Sequence, residues 1–126
     1  MEWKSHLPVN CPPPEADFYT GTIYRLLKPP IAEKSFLSLR ERNPHKEYKD
    51  PKVECLAGGL SIHLDKQDAL NLKRRIPKFK KFKVGQATLN SGVGKLLSTP
   101  SKNEPSHCTL WPYRPVMLAP VFKFVS

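Results

Sequence analysis

The most regular alternation of apolar and polar residues falls between residues 60 and 65. The apolar positions are Leu60, Ile62 and Leu64, and the polar positions are Ser61, His63 and Asp65. A period of two is typical of a strand with one buried face. The pattern therefore predicts a strand here, with His63 on the same face as Ser61.

A helix is predicted directly after this strand. Asp65 stands where an N-cap is expected, and Asp68 can accept hydrogen bonds from first-turn amides and complement the helix dipole. Apolar residues recur behind them at helical spacing: Ala69, Leu72 and Ile76. Proline disfavours helical backbone at the residue before it, so the helix should end before Pro77.

The rest of the pattern predicts four more strands and a short helix. The strands are expected at residues 18–28, 82–89, 106–111 and 121–125. Helix formers place one short helix within residues 31–42, and a polar stretch with two prolines predicts an exposed loop at 43–52. A glycine loop should follow the strand that ends at Leu89. These elements predict an α+β fold, with a small mixed or antiparallel sheet of about four to five strands and one or two short helices.

The chain is expected to form one domain behind a proline-rich tail. A length of 126 residues leaves room for one hydrophobic core. The sequence CPPPE at residues 11–15 removes three amide donors in a row, so neither a helix nor a central strand is expected there. We therefore expect a tail at residues 1–17, which Trp3 and Leu7 can dock, and a single α+β domain at 18–126.

Composition predicts a soluble, cytoplasmic protein. The mean hydropathy is −0.48, and no stretch approaches the roughly 20 apolar residues that cross a bilayer. Charge and proline interrupt the N-terminal residues where a signal peptide needs an apolar run. The three cysteines, Cys11, Cys55 and Cys108, are odd in number and widely spaced, which suits reduced thiols in a reducing compartment.

Positive charge is concentrated in one part of the chain. The net charge is +10, and residues 69–103 hold nine Lys or Arg and no Asp or Glu. Within this segment, KRRIPKFKKFK at residues 73–83 interleaves two phenylalanines with basic residues. Such a pattern offers phosphate contacts and base stacking. The candidate nucleic-acid contacts are Lys73, Arg74, Arg75, Lys78, Phe79, Lys80, Lys81, Phe82, Lys83 and Lys95.

A structural interpretation of the same residues stays open. Arg74 and Arg75 end the predicted helix, where cations interact favourably with its dipole. Phe79 and Phe82 can instead point into the core while the lysines keep the surface soluble. Charge asymmetry favours association with anions without identifying which anion is bound.

Two histidines are candidates for catalysis. In an extended segment, His107 shares a face with Thr109 and Trp111, and His63 lies on a separate predicted strand. If the two strands are neighbours, the imidazoles can divide the general-acid and general-base roles of a metal-independent phosphodiester cleavage, with lysines stabilising the developing charge. The alternative is that both are hydrogen-bonded structural residues.

No metal site or cofactor is predicted. Neither the spacing of Cys55 and His63 nor the adjacent His107 and Cys108 resembles the paired ligands of structural zinc. The sequence SGVGK at residues 91–95 lacks the first glycine of a P-loop and the Ser or Thr after its lysine.

Several short motifs support treating most of the chain as one unit. They are IYRLLKPP, SFLSLRERNP, CLAGGLSIHL, DAL, GVGKLLSTP, SHCTLWPY and FKFV, between residues 18 and 125. In this succession the chain resembles a group of short bacterial proteins with no known activity, sharing a pattern of GGLS, TP and SHxTxWP. The resemblance implies a common plan at Gly59 to Ser61, Thr99-Pro100 and Ser106-His107, and implies no activity.

These observations favour a small basic binding or accessory protein over an enzyme, with nucleic acid as the first candidate ligand. A subunit that binds an acidic partner protein in a larger assembly is the second hypothesis, because the same lysines can steer that association. The third is a ribonuclease-like toxin or other small hydrolase using His63 and His107. No membrane contact is expected, and the oligomeric state is left open.

Overall fold

The protein is a seven-stranded antiparallel sheet with three α-helices. The structure, a computed structural model, describes residues 2–126. The strands are β1 (Asp17–Phe18), β2 (Gly21–Leu27), β3 (Leu60–His63), β4 (Lys83–Leu89), β5 (Gly94–Ser98), β6 (His107–Pro112) and β7 (Lys123–Phe124). The helices are α1 (Leu39–Arg42), α2 (Pro51–Ala57) and α3 (Lys66–Arg75). The strand order is β1-β5-β6-β3-β2-β4-β7.

The α+β class is confirmed, and the strand count exceeds the four to five predicted. β1 crosses the expected end of the tail, with Asp17 in the predicted tail and Phe18 in the strand predicted at 18–28. β5 arises in the segment expected to be a glycine loop, where it pairs with β6 and places Gly94 opposite Pro112. Glycine commonly marks loops, but here its missing side chain allows close approach between two strands.

The helical predictions are partly wrong. α3 matches, and the Asp65 carboxylate accepts from the amide of Gln67 as an N-cap. The helix expected in residues 31–42 divides into a 3₁₀ turn at Glu33–Phe36 and the single turn of α1. The loop expected at 43–52 ends early because Asp50 caps α2, whose first residue is Pro51.

Both faces of the sheet are covered. One face packs its apolar residues, including Ile23, Ile62 and Leu110, beneath Phe36 and Phe122. The other face is covered in two places. α3 packs over Leu26 and Val84 through Ala69, and the N-terminal segment packs with Cys55 of α2 over Trp111.

The N-terminal segment is fastened to the domain. Cys11 forms a disulfide with Cys55, and the Trp3 ring stacks on Tyr113 with centroids 4.4 Å apart. Ala16 is buried in the same cluster. The prediction of reduced thiols is therefore wrong for Cys11 and Cys55; Cys108 is free and buried. Disulfides persist in oxidising environments, so the cysteines do not support a cytoplasmic location.

No helix within residues 2–126 has the length and apolar character needed to cross a membrane.

Candidate functional site: a cationic groove above two histidines

His63 and His107 lie side by side in the middle of the sheet. They are direct partners in the antiparallel register of β3 and β6, so both side chains project from the same face. Their ring centroids are 5.5 Å apart and the rings are nearly perpendicular, at 77°. Ser61 and Thr109 are the next pair on this face. The structure thus brings together the two histidines selected from the sequence.

His63 is buried and bonded to a carboxylate. It is 2% exposed, and its Nε2–H donates to Glu104 Oε1 at 2.6 Å. Glu104 Oε2 accepts from Arg75 Nη2 at 3.1 Å. Burial lowers the pKa of His63, and repulsion from His107 adds to this effect, whereas the bond to Glu104 and the charges of Glu104 and Asp68 oppose it. The lowered pKa favours a neutral ring.

The second nitrogen of His63 is a buried acceptor without a partner. Nδ1 forms no hydrogen bond within the described part of the chain. Nε2 carries the proton that is hydrogen-bonded to Glu104. In the neutral ring the lone pair is therefore on Nδ1. A buried polar atom without a partner is uncommon in a folded protein and calls for a physical explanation.

His107 is half-buried and is held by Thr99. Its Nδ1 lies 2.8 Å from the carbonyl oxygen of Thr99 and 2.9 Å from Thr99 Oγ1, which also bonds the Thr109 hydroxyl at 2.9 Å. A carbonyl oxygen only accepts, so Nδ1 carries the proton. In the neutral ring Nε2 is then the free base, and it makes no hydrogen bond to the rest of residues 2–126.

α3 fixes the start of the strand that carries His107. Asp68 Oδ2 accepts from the amide of Ser106 at 2.9 Å, and the Ser106 hydroxyl accepts from the amide of Asp65 at 3.0 Å. The bonds from Ser106 are the main reason that the pKa of Asp68 is lowered, with His63 contributing to the same shift. The prediction that Asp68 accepts from its own first-turn amides is wrong, because its carboxylate turns toward Ser106.

A groove of about 880 Å³ opens over the histidines. Ser61, His63 and His107 lie on its floor, and α1, α2 and the end of α3 contribute to its walls. Its basic lining residues are Arg25, Lys28, Lys34, Arg42, Arg75 and Lys78, and its one acidic lining residue is Glu104. The groove is therefore strongly cationic.

Arg25 carries a positive charge beside the groove floor and forms no salt bridge with a carboxylate of residues 2–126. Its Nη1 donates to the carbonyl oxygen of Ser61 at 2.7 Å and its Nη2 to that of Ser35 at 3.2 Å. Its Nε is buried and has no hydrogen-bond partner within residues 2–126. Burial, together with repulsion from Arg42, lowers the pKa of Arg25 to about 10, so the guanidinium stays charged at neutral pH.

Apolar residues line the groove as well. Leu39 is 54% exposed and Leu56 is 44% exposed, and both line the groove. Phe79 and Phe82 line it as well and form an edge-to-face pair with centroids 5.0 Å apart. These phenylalanines are half-buried and pack against the cluster under α3. Packing against the core is therefore shown for both phenylalanines, and base stacking on their groove-facing surface stays a prediction.

The basic residues predicted to form one face are divided. Arg75 and Lys78 line the groove, whereas Lys73, Arg74 and Lys80 line a smaller depression of about 450 Å³ beside Pro77. Lys81 and Lys83 are exposed in the following turn and at the start of β4.

Lys95 does not belong to this surface. It lies on β5, four strands from β4 in the sheet order, and its Nζ sits 5.2 Å from the centroid of Phe18. Neighbouring strands are about 4.8 Å apart, so roughly 19 Å separates the two strands. Its inclusion among the contacts of the basic face is wrong, because that assignment followed sequence proximity and the strand order separates the segments.

The sequence did not identify five groove residues as members of a site: Arg25, Lys28, Lys34, Arg42 and Glu104. Thr99 was named only as part of a common plan. Arg25 lies between Ile23 and Leu27 on one side of the predicted strand. A basic residue among apolar residues on one side of a strand was the signal that could have marked it. Glu104 is the first acid after the basic segment, but nothing in the sequence indicates that it reaches His63.

No cluster of three or more His, Cys, Asp or Glu suited to a metal ion occurs within residues 2–126. Comparison of the chain with protein-family models, curated proteins and solved structures found no match. Function is therefore inferred from the geometry and charge of the groove, and the resemblance to short bacterial proteins stays a prediction.

Proposed function

We propose that the protein binds nucleic acid in the groove. The observation that carries this proposal is the imbalance of charge among the lining residues, which comprise six cations and one acid. That acid, Glu104, is already bonded to Arg75 and His63. The remaining positive charge is available to an anionic ligand, and phosphate contacts supply most of the affinity of non-specific nucleic-acid binding.

The apolar lining residues favour nucleic acid over an acidic protein as the partner. A nucleotide combines a phosphate with a planar base that can pack on Phe79, Phe82 or the exposed leucines, and stacking of this kind tolerates any sequence. Lys78 lies over the Phe79 ring, with its Nζ 5.1 Å from the centroid. A phosphate and a base can therefore be contacted by neighbouring residues.

Binding should depend on the groove and on salt. We expect the double substitution Lys78→Glu and Arg42→Glu to weaken binding of a labelled 20-nucleotide single strand by about tenfold or more at low salt. Loss of two phosphate contacts should also reduce the slope of log affinity against log salt by about 1.4 for a single strand. Fluorescence anisotropy between 50 and 200 mM salt measures both quantities.

The matched control is Lys95→Glu with Lys123→Glu. This pair makes the same change in net charge, but its residues lie on β5 and β7, outside the groove lining. We expect the control pair to weaken binding much less than the groove pair. Equal losses in the two double variants would contradict a groove site, and retention of an acidic protein in place of oligonucleotide would favour the second hypothesis.

A further inference from the structure

We propose that His107 is the general base of a metal-independent cleavage of RNA in this groove, and that His63, Glu104 and Thr99 are positioning residues. This inference rests on the proposed nucleic-acid binding and adds to it a substrate class and a reaction. It combines three observations: the fixed tautomer of His107, the contacts that run from His63 through Glu104 to Arg75, and the excess of positive charge among the residues that line the groove.

The first observation concerns the proton on His107. Its Nδ1–H is bonded to the carbonyl oxygen of Thr99 at 2.8 Å, which leaves the lone pair on Nε2 in the neutral ring. Because that nitrogen has no protein partner within residues 2–126 and the ring lines the groove, Nε2 can accept a proton from a bound ligand. A general base must be within hydrogen-bond reach of the proton that it removes.

The second observation concerns the orientation of the His107 ring. The His63 ring lies edge-to-face with this ring, and their centroids are 5.5 Å apart. His63 is in turn bonded to Glu104 at 2.6 Å, and Glu104 is bonded to Arg75. With its Nε2–H engaged and its Nδ1 buried, His63 supports the reacting ring without contacting the substrate. Supporting residues of this kind fix the geometry of a catalytic group.

The third observation concerns charge. Cleavage of a phosphodiester places additional negative charge on the phosphoryl oxygens in the transition state, and preorganised positive groups stabilise it. Arg25, Arg42 and Lys78 line the groove and have no carboxylate partner among the described residues. The groove that His107 lines therefore also carries the positive charge that this reaction requires.

RNA is the expected substrate because its ribose 2′-hydroxyl, which lies next to the phosphorus atom, supplies the proton that the base removes. His107 Nε2 removes the proton of a ribose 2′-hydroxyl, and the 2′-oxygen forms a bond to the adjacent phosphorus. The bond from phosphorus to the 5′-oxygen breaks, and the leaving oxygen takes a proton from water. The products are a 2′,3′-cyclic phosphate and a 5′-hydroxyl, and protonated His107 returns its proton to solvent. DNA lacks the 2′-hydroxyl.

The experiment compares cleavage and binding in the same preparations. A labelled oligoribonucleotide is incubated with the protein in excess EDTA, and mass spectrometry identifies the new ends. We expect 2′,3′-cyclic phosphate ends with wild-type protein and no cleavage of DNA or 2′-O-methyl RNA of the same sequence. His107→Ala and His107→Gln should each lower kcat by about 100-fold or more, with Kd changed by less than about threefold.

His107→Gln is the variant chosen to preserve the fold, because its amide can still donate to Thr99. Groove-dependent binding without cleavage by wild-type protein would overturn this inference and leave the proposed function standing. Wild-type rates in His107→Gln would overturn it as well. Absence of any binding would overturn both proposals.

The positioning role of Glu104 can be tested separately, by comparing kcat and KM in the variant Glu104→Gln. Glu104→Gln removes a negative charge from the groove, so RNA should bind at least as tightly and KM should not rise. Loss of the bond that orients His63 should nevertheless lower kcat by about tenfold. A variant with unchanged kcat, or one whose KM rises with kcat constant, would exclude this role.

Discussion

At the scale of single residues, the chemistry of the groove floor depends on which ring nitrogen of each histidine is held in a hydrogen bond to the protein. The Nε2–H of His63 donates a hydrogen bond to Glu104, and the Nδ1–H of His107 donates one to the carbonyl oxygen of Thr99. The two rings are therefore chemically different although they are direct partners in the sheet. His63 is buried against a carboxylate, whereas His107 lines the groove and its Nε2 makes no hydrogen bond within residues 2–126.

The buried state of His63 predicts a dependence of stability on pH. The pKa of His63 is lowered in the folded protein from its ordinary value of 6.5, so the unfolded chain binds the proton more readily and stability falls as pH falls through that range. As pH is lowered, the loss of stability begins near pH 6.5 and is complete below the pKa of His63 in the folded state.

His63→Gln removes this titration and serves as the comparison. Urea unfolding at pH 7.5, 6.5 and 5.5 should show that the stability advantage of wild-type protein over the variant shrinks as pH falls. An advantage that stays constant or grows would contradict the prediction. Asp68 also has a lowered pKa, but its contribution is lost only below its ordinary value of 3.8, outside this range.

At the scale of elements, the contact between β5 and β6 depends on a glycine. A Cβ atom on Gly94 would overlap the backbone carbonyl oxygen of Trp111 and lie 2.7 Å from the Cα atom of Pro112. Both are backbone atoms of a central strand, which cannot move aside as a flexible side chain can. This strand pair also brings Thr99, next to the end of β5, to His107.

Gly94→Ala should therefore destabilise the protein by about 1–3 kcal/mol, the usual cost of overpacking. The matched control is Gly92→Ala, because a Cβ atom on Gly92 meets only the side-chain oxygen of Asn90, at 3.1 Å. Thermal or urea unfolding of the two variants measures the difference. Equal stability of the two variants would show that β5 does not approach β6 as closely as described.

At the scale of the whole molecule, the disulfide connects the N-terminal segment to a wall of the groove. Cys55 lies in α2, one residue before Leu56, which lines the groove. The carbonyl oxygen of Cys55 also accepts from Trp111 Nε1 at 3.0 Å. The N-terminal segment, α2 and the central strands therefore form one packed unit.

Loss of the disulfide should destabilise the protein substantially. The cysteines are 44 residues apart, and closing a loop of that length in the unfolded chain corresponds to about 4 kcal/mol. We expect urea unfolding with and without reductant to differ by an amount of this order, and Cys11→Ser with Cys55→Ser to show no further effect of reductant. Titration of three thiols in the denatured, non-reduced protein would contradict the bond.

The sequence by itself determined the locally encoded parts of this protein. The alternation at residues 60–64 and the cap at Asp65 correctly predicted β3 and α3, because period and capping involve residues close in the chain. Leu64 is nevertheless 39% exposed, since it lies just beyond the end of β3. The same local rules underlie the prediction of the strand that carries His107.

Only the tertiary structure decided which distant residues meet. The disulfide, the pairing of His63 with His107, the contact of Glu104 with His63 and the separation of Lys95 from the other basic residues all follow from strand order and register. Those features are set by packing among segments far apart in sequence, where local periodicity carries no information. The basic segment at residues 69–103 was therefore visible in the sequence. The groove was not, because four of its six basic lining residues, Arg25, Lys28, Lys34 and Arg42, come from other parts of the chain.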